Sequence, residues 1–339
     1  MMSSIIQLKN LSKNYGTKVA VDNLNLDISK GEIFGLLGPN GAGKTTTILM
    51  MLGLTEPSSG NAMVCGFDAT SNPINVKKRV GYMPDSVGFY DNLTALENLE
   101  YIGRLNGIDE KELSYRAVEV MEIVGLGQDM HLKTGAYSRG MKQRLGLADV
   151  LIKRPEVIIL DEPTLGIDPS GVRDFLLLIK QLSRENGLTV LLSSHHLHHV
   201  QQVCDQVGIF VKGKLLVKGN IASLSEKLFA GQDHVTWVDL EEKITGILPH
   251  ENELLALEGI KAIKVEGQSI EFTCNRRNMT PLIVRTLAER GYNILGVRQR
   301  NYGLEEIYQK YFENSLTENT VNEKSSSVFK KSFFSRFSK

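Results

Sequence analysis

Residues Gly38 to Thr46 read GPNGAGKTT, and no other segment of the chain limits its fold so strongly. The segment fits G-x-x-x-x-G-K-[ST], with Gly38, Gly43, Lys44 and Thr45 at the fixed places. Ile33-Phe34-Gly35-Leu36-Leu37 precedes it as a short apolar strand, and Thr45 to Leu52 follows it as a helix. Strand, loop and helix in that order predict an α/β layer whose loop cradles a phosphate. Glycines let backbone N–H groups crowd around phosphate oxygens because no Cβ intervenes. Pro39, Asn40, Gly41, Ala42 and Thr46 complete that cradle. Lys44 reaches the β- and γ-phosphates as a point charge, and Thr45 places its hydroxyl on Mg²⁺.

Two later segments extend the pattern. Val157-Ile158-Ile159-Leu160 has no polar residue, which suits a central parallel strand buried on both faces. Asp161 at its carboxyl end lies where ligands bind in open α/β sheets, and is the expected Mg²⁺ ligand through water. Glu162 is next and is placed to polarise an attacking water. Pro163 ends the strand. Upstream, YSRGMKQR (Tyr137 to Arg144) opens a helix with Ser-x-Gly, whose hydroxyl and free N–H groups suit an anion.

Together these segments resemble the ATP-binding cassette (ABC) ATPases of transporters, over residues 5 to about 230. The likeness is to the multidrug and polyketide exporter type. It implies a P-loop NTPase fold with a mixed sheet and a helical subdomain, using ATP and Mg²⁺. Tyr15 matches the aromatic that stacks on adenine. Ser138 and Gly140 match the signature helix, Asp168 the D-loop, and His195 the switch histidine at the γ-phosphate. Glu162, His195 and Lys44 are then the catalytic set. The resemblance also implies a head-to-tail dimer, a homodimer here, in which Ser138 and Gly140 serve the ATP of the partner chain. Three positions depart from the family pattern. Asp85 follows Tyr-Met-Pro where Gln is usual, and is expected to help hold nucleotide and Mg²⁺. Arg139 and Met141 replace Gly and Gln in the signature. Asp149 lies where a basic residue is common.

The 339 residues carry 39 basic and 39 acidic side chains, so no global field favours nucleic acid. Three scattered cysteines, Cys65, Cys204 and Cys274, form no metal spacing and fit a reducing compartment. No signal peptide opens the chain, and no apolar run approaches the ~20 residues needed to cross a bilayer. The expected location is therefore cytoplasmic, peripheral at the inner face of the cell membrane, beside a separate transmembrane permease. Coupling to it is expected through the surface between Asp85 and Gly103.

Residues 4–230 form the expected nucleotide-binding domain, with a helical subdomain at about 90–150 carrying helical periodicity. Residues 232–313 alternate strands and helices as a small α+β, ferredoxin-like accessory domain. Residues 314–339 form a polar, then basic and aromatic tail. Disorder is its simpler reading, and a membrane-surface helix using Phe329, Phe333, Phe334 and Phe337 the sharper one. The run SSHHLHHV offers His195, His198 and His199 on one helical face, yet lacks a carboxylate or Cys at ligand spacing. A His-rich helix surface is the expectation there. The competing function is a soluble ABC-type ATPase acting on ribosomes or DNA. Such proteins carry paired cassettes or long coiled-coil insertions, and only about 94 residues separate Lys44 from Ser138. A GTPase would need Asn-Lys-x-Asp, which is absent.

Overall fold

In three of the strands every residue is buried: β3 (Ile33–Leu37), β7 (Val157–Asp161) and β8 (Thr189–Ser194). Such strands must lie inside a sheet covered on both faces. The computed structural model describes residues 4–229, 233–244, 248–300 and 303–311, and places these strands side by side. The tail at 314–339 lies outside the described residues.

The chain divides into two compact units, one built on the residues up to Leu224 and the other on Ser225–Ile307. In the first unit, β1 (Ser4–Tyr15), β2 (Lys18–Ser29), β4 (Ser59–Val64) and β5 (Phe67–Asp68) form an antiparallel sheet in the order β2-β1-β4-β5. Both β1 and β2 are 12 residues long. Register shifts around Leu8, Leu11 and Lys13 break the two-residue alternation and hide their length.

The second sheet runs β10-β9-β3-β8-β7-β6, using β6 (Val80–Met83), β9 (Gln206–Val211) and β10 (Lys214–Gly219). Pairing is parallel from β9 to β6, and β10 is antiparallel. Leu37 pairs with Ser194, Asp161 with Ser193, and Met83 with Leu160. The carboxyl ends of four strands therefore meet along one edge. Phe34, Ile159, Leu191 and Phe210 fill the core behind them.

Helix α1 (Lys44–Met51) follows the glycine loop, and α2 (Pro73–Arg79) precedes β6. The helical subdomain comprises α3 (Ala95–Leu105), α4 (Glu110–Ile123) and α5 (Arg139–Leu151). Thr94 and Glu97 close a reciprocal capping box on α3, satisfying two otherwise unpaired N–H groups. Buried Asn98 accepts from Tyr90 N at 2.9 Å and donates to Tyr90 O and Thr94 O, fixing the approach to that helix. Helix α6 (Pro169–Asn186) starts with Asp168 as its N-cap, and α7 (Leu197–Gln201) carries the histidines. Helix α8 (Ile221–Leu228) follows β10.

The second unit contains β11 (His234–Leu240), α9 (Glu251–Leu255), β12 (Ile260–Glu266), β13 (Ser269–Cys274), α10 (Thr280–Glu289) and β14 (Ile294–Gln299). Its antiparallel order, β12-β13-β11-β14, is the β-α-β-β-α-β arrangement of a ferredoxin-like domain. Val238, Phe272, Ile283 and Leu287 form its core. Helix α9 had no sequence signal, because five residues give too short a run for periodicity.

Candidate nucleotide site

The glycine loop leaves β3 and turns straight into α1. Gly43 sits at φ 107°, a left-handed conformation, and a Cβ there would strike the carbonyl oxygen of Ala20. Gly38 is likewise closed to a side chain, by the carbonyl oxygen of Phe210. Both glycines are thus required by close backbone approach. Lys44 is buried, and its ammonium donates to Gly38 O at 2.8 Å and to Pro39 O at 3.4 Å. The same nitrogen lies 3.3 Å from Glu162 Oε1.

Asp161 is 3 % exposed and accepts two hydroxyl hydrogen bonds. Thr45 Oγ1 donates to Oδ2 at 2.8 Å, and Ser193 Oγ donates to Oδ1. Glu162 adopts φ 50°, a left-handed conformation that costs a non-glycine residue about 1 kcal/mol. Its N–H donates to Ser193 O at 3.1 Å, which holds the turn. The turn swings the Glu162 carboxylate between Lys44 and His195, whose Nδ1 is 2.8 Å from Oε2. Glu162 Oε1 is buried and accepts no hydrogen bond from the described residues. Its partner there is the charge of the Lys44 ammonium, and the oxygen keeps capacity to accept from a water molecule.

Twelve of the sequence-predicted residues line one cleft: Tyr15, Asn40 to Thr46, Asp85, Asp161, Glu162 and His195. Gly38 and Pro39 sit at its base and hold Lys44 through their carbonyls. Burial pushes the Tyr82 hydroxyl up to about 12, with Asp161 and Asp85 adding to the shift. Tyr82 therefore stays neutral beside the two acids. Thr45 and Asp161 are hydrogen-bonded to each other and Asp85 lines the same cleft, and oxygen groups of this kind fit Mg²⁺. The Lys44 ammonium and the open backbone at Gly41 fit phosphate.

Ser138, Gly140 and Asp168 do not line this cleft. Ser138 caps α5, accepting from Met141 N at 3.2 Å, and is exposed. Asp168 caps α6, and hydrogen bonds from Ser170 and Gly171 N hold its carboxyl below the usual carboxylate range. Lys18, Ala20 and Leu165 also line the cleft and had no motif to announce them. Ser193 lies near the end of the buried strand β8 and donates to Asp161. Its place directly after Val190-Leu191-Leu192 was the available signal.

Residues 21–165 match the family model described as ABC transporter. The linearmycin resistance ATP-binding protein LnrL of Bacillus subtilis (strain 168) is 34% identical over 90% of this chain and 97% of its own length. This chain belongs to the ABC transporter ATP-binding proteins. The bacitracin transport ATP-binding protein BcrA of Bacillus licheniformis is 46% identical over 63% of this chain and 69% of its own. Among solved structures, the cassette MJ0796, seen as a dimer in a post-hydrolysis state with ADP and Pi, shares a TM-score of 0.58. It is 25% identical, over 63% of this chain and 98% of its own. The protein is accordingly an ATP-binding ABC ATPase. Among the described residues no helix is long and apolar enough to cross a membrane.

Proposed function

We propose that this ABC ATPase is the energy-coupling subunit of an exporter, working as a head-to-tail dimer with separate membrane subunits at the inner face of the cell membrane. One observation carries the dimer. The cleft holds Lys44, Asp161, Glu162 and His195, whereas Ser138, Gly140 and Asp168 face solvent or cap helices outside it. One chain thus holds two half-sites that serve different nucleotides. The dimeric MJ0796 cassette supports this reading. Export is supported by the transport and resistance functions named for the bacitracin and linearmycin relatives.

Within one site, the loop N–H groups and Lys44 bind the β- and γ-phosphates, and Tyr15 stacks on the base. Thr45, Asp161 and Asp85 would hold Mg²⁺, which would supply neutralisation of phosphate charge. Glu162 orients the attacking water and can take its proton, and His195 fixes Glu162 through the 2.8 Å contact. Lys44 releases Glu162 as it engages phosphate. Coupling to the membrane subunit uses the surface around Tyr90 and Tyr101, exposed aromatics stacked edge to face at 5.3 Å, with Leu105 beside them on α3 at 71 % exposure. Exposed apolar groups of this kind mark docking surfaces.

Glu162→Gln keeps the shape of the site and removes the base. ATP is expected to bind but turn over slower by about 10²-fold or more, leaving a stable dimer. Light scattering with ATP reads the dimer. A Glu162→Gln protein hydrolysing at the wild-type rate removes Glu162 from this role.

A further inference from the structure

Arg139 occupies the first turn of α5, between Ser138 and Gly140. It is exposed, and among the described residues no carboxylate pairs with it. Its guanidinium lies on the backbone of Gly166, in the loop that joins Glu162 to Asp168. Gly166 is left-handed at φ 75°, and a Cβ there would run into Cζ, Nε and Nη1 of Arg139. The absence of a Cβ at Gly166 therefore leaves the space that the Arg139 guanidinium occupies. A second contact reinforces the first. The Ile167 side chain lies 3.7 Å from where a Cβ of Gly140 would sit, and 2.8 Å from that of Gly171. The D-loop thus runs close to α5 at Gly140 as well as at Arg139, with Ile167 also close to Gly171 of α6.

We propose that Arg139 is a positioning residue: its guanidinium, seated on Gly166, locks the D-loop to the start of α5 so that Ser138, Gly140 and Asp168 meet the partner chain as one rigid surface. The catalytic consequence rests on the sandwich dimer proposed above. The lock itself belongs to the single chain. The planar guanidinium fills the space a Gly166 Cβ would take, with Cζ, Nε and Nη1 all against it, a shape that a planar amide partly reproduces and a single tetrahedral ammonium does not. Lysine should therefore fail where a planar amide partly succeeds. A cation reaching the partner's phosphate would show the opposite order. Holding both elements in advance reduces the ordering cost of dimer closure.

Two measurements test this on the full chain, using Arg139→Ala, Arg139→Lys and Arg139→Gln. Amide hydrogen exchange at Gly166 and Ile167, without nucleotide, reads the lock directly. Protection should fall about tenfold in the Ala and Lys variants and less in Gln. ATP-driven dimerisation, measured with Glu162→Gln added to each variant, should weaken about tenfold in the same order. Nucleotide affinity of the single chain should stay within about twofold, because Arg139 is outside the cleft. Unchanged exchange in Arg139→Ala overturns the lock, as does wild-type behaviour of Arg139→Lys with loss in Arg139→Gln. If Glu162→Gln alone fails to dimerise on ATP, the sandwich reading falls while the exchange result still decides the lock.

Discussion

Asp149 lies on α5, one turn before Lys153, and is only partly exposed. Burial raises its carboxyl from 3.8 to about 6, and Lys153 offsets this in part. Lys153 is itself committed to the carbonyl of Lys77, at 2.9 Å. A carboxyl raised in the folded state binds its proton more tightly there than in the unfolded chain. Folding stability therefore falls as pH rises from about 4 to about 6, and stays at its lower level above. The full shift corresponds to about 3 kcal/mol at 1.36 kcal/mol per pKa unit. Partial exposure and the lost pairing with Lys153 reduce this to about 1–2 kcal/mol for Asp149→Asn. The substitution should stabilise α5 by that amount at pH 7.5 and by almost nothing below pH 4. Hydrogen exchange of the α5 amides across this range measures it without assuming that both units unfold together. A stability difference that does not change with pH, or a loss of stability at pH 7.5, refutes the linkage.

Two further substitutions probe how the site is held. Ser193→Ala removes a hydroxyl from a buried carboxylate, so Asp161 loses about 2 kcal/mol of charge-assisted hydrogen bonding. Steady-state ATPase should drop about tenfold or more, with partial recovery at raised Mg²⁺ concentration, and unchanged turnover would mean that Thr45 alone orients Asp161. Thr94→Ala opens the capping box on α3 and should destabilise the helical subdomain by about 1 kcal/mol, seen as faster exchange of the first-turn amides.

Much of the site was legible because its chemistry demands fixed residues at fixed spacing. GPNGAGKTT announced a strand, a loop and a helix, and the apolar run before Asp161 announced a strand buried on both faces. Parallel pairing then carries these sequence-distant segments to one edge of the sheet. Other features depend on tertiary approach, which leaves no local pattern. Lys18 reaches the cleft from β2 across the sheet interface, and Ser193 matters only because β8 pairs with β7. The left-handed turn at Glu162 could not be read, since glycine usually marks such turns and here a glutamate takes one. Arg139 looked like a departure from a motif. Its seat on Gly166 became visible only once the D-loop and α5 were placed together.

In the head-to-tail dimer proposed above, Lys44 and Ser138 of one chain serve different ATP molecules. Mixing two inactive variants tests it directly, one with Lys44→Ala and the other with Ser138→Arg. In a head-to-tail pair, one site collects both defects and the other is intact. If sites act independently, the mixture should regain about a quarter of wild-type ATPase, since half the random pairs are mixed and each holds one good site of two. Activity that stays at the level of the separate variants, under conditions where the chains exchange, would contradict the shared site and place Ser138 with its own Lys44.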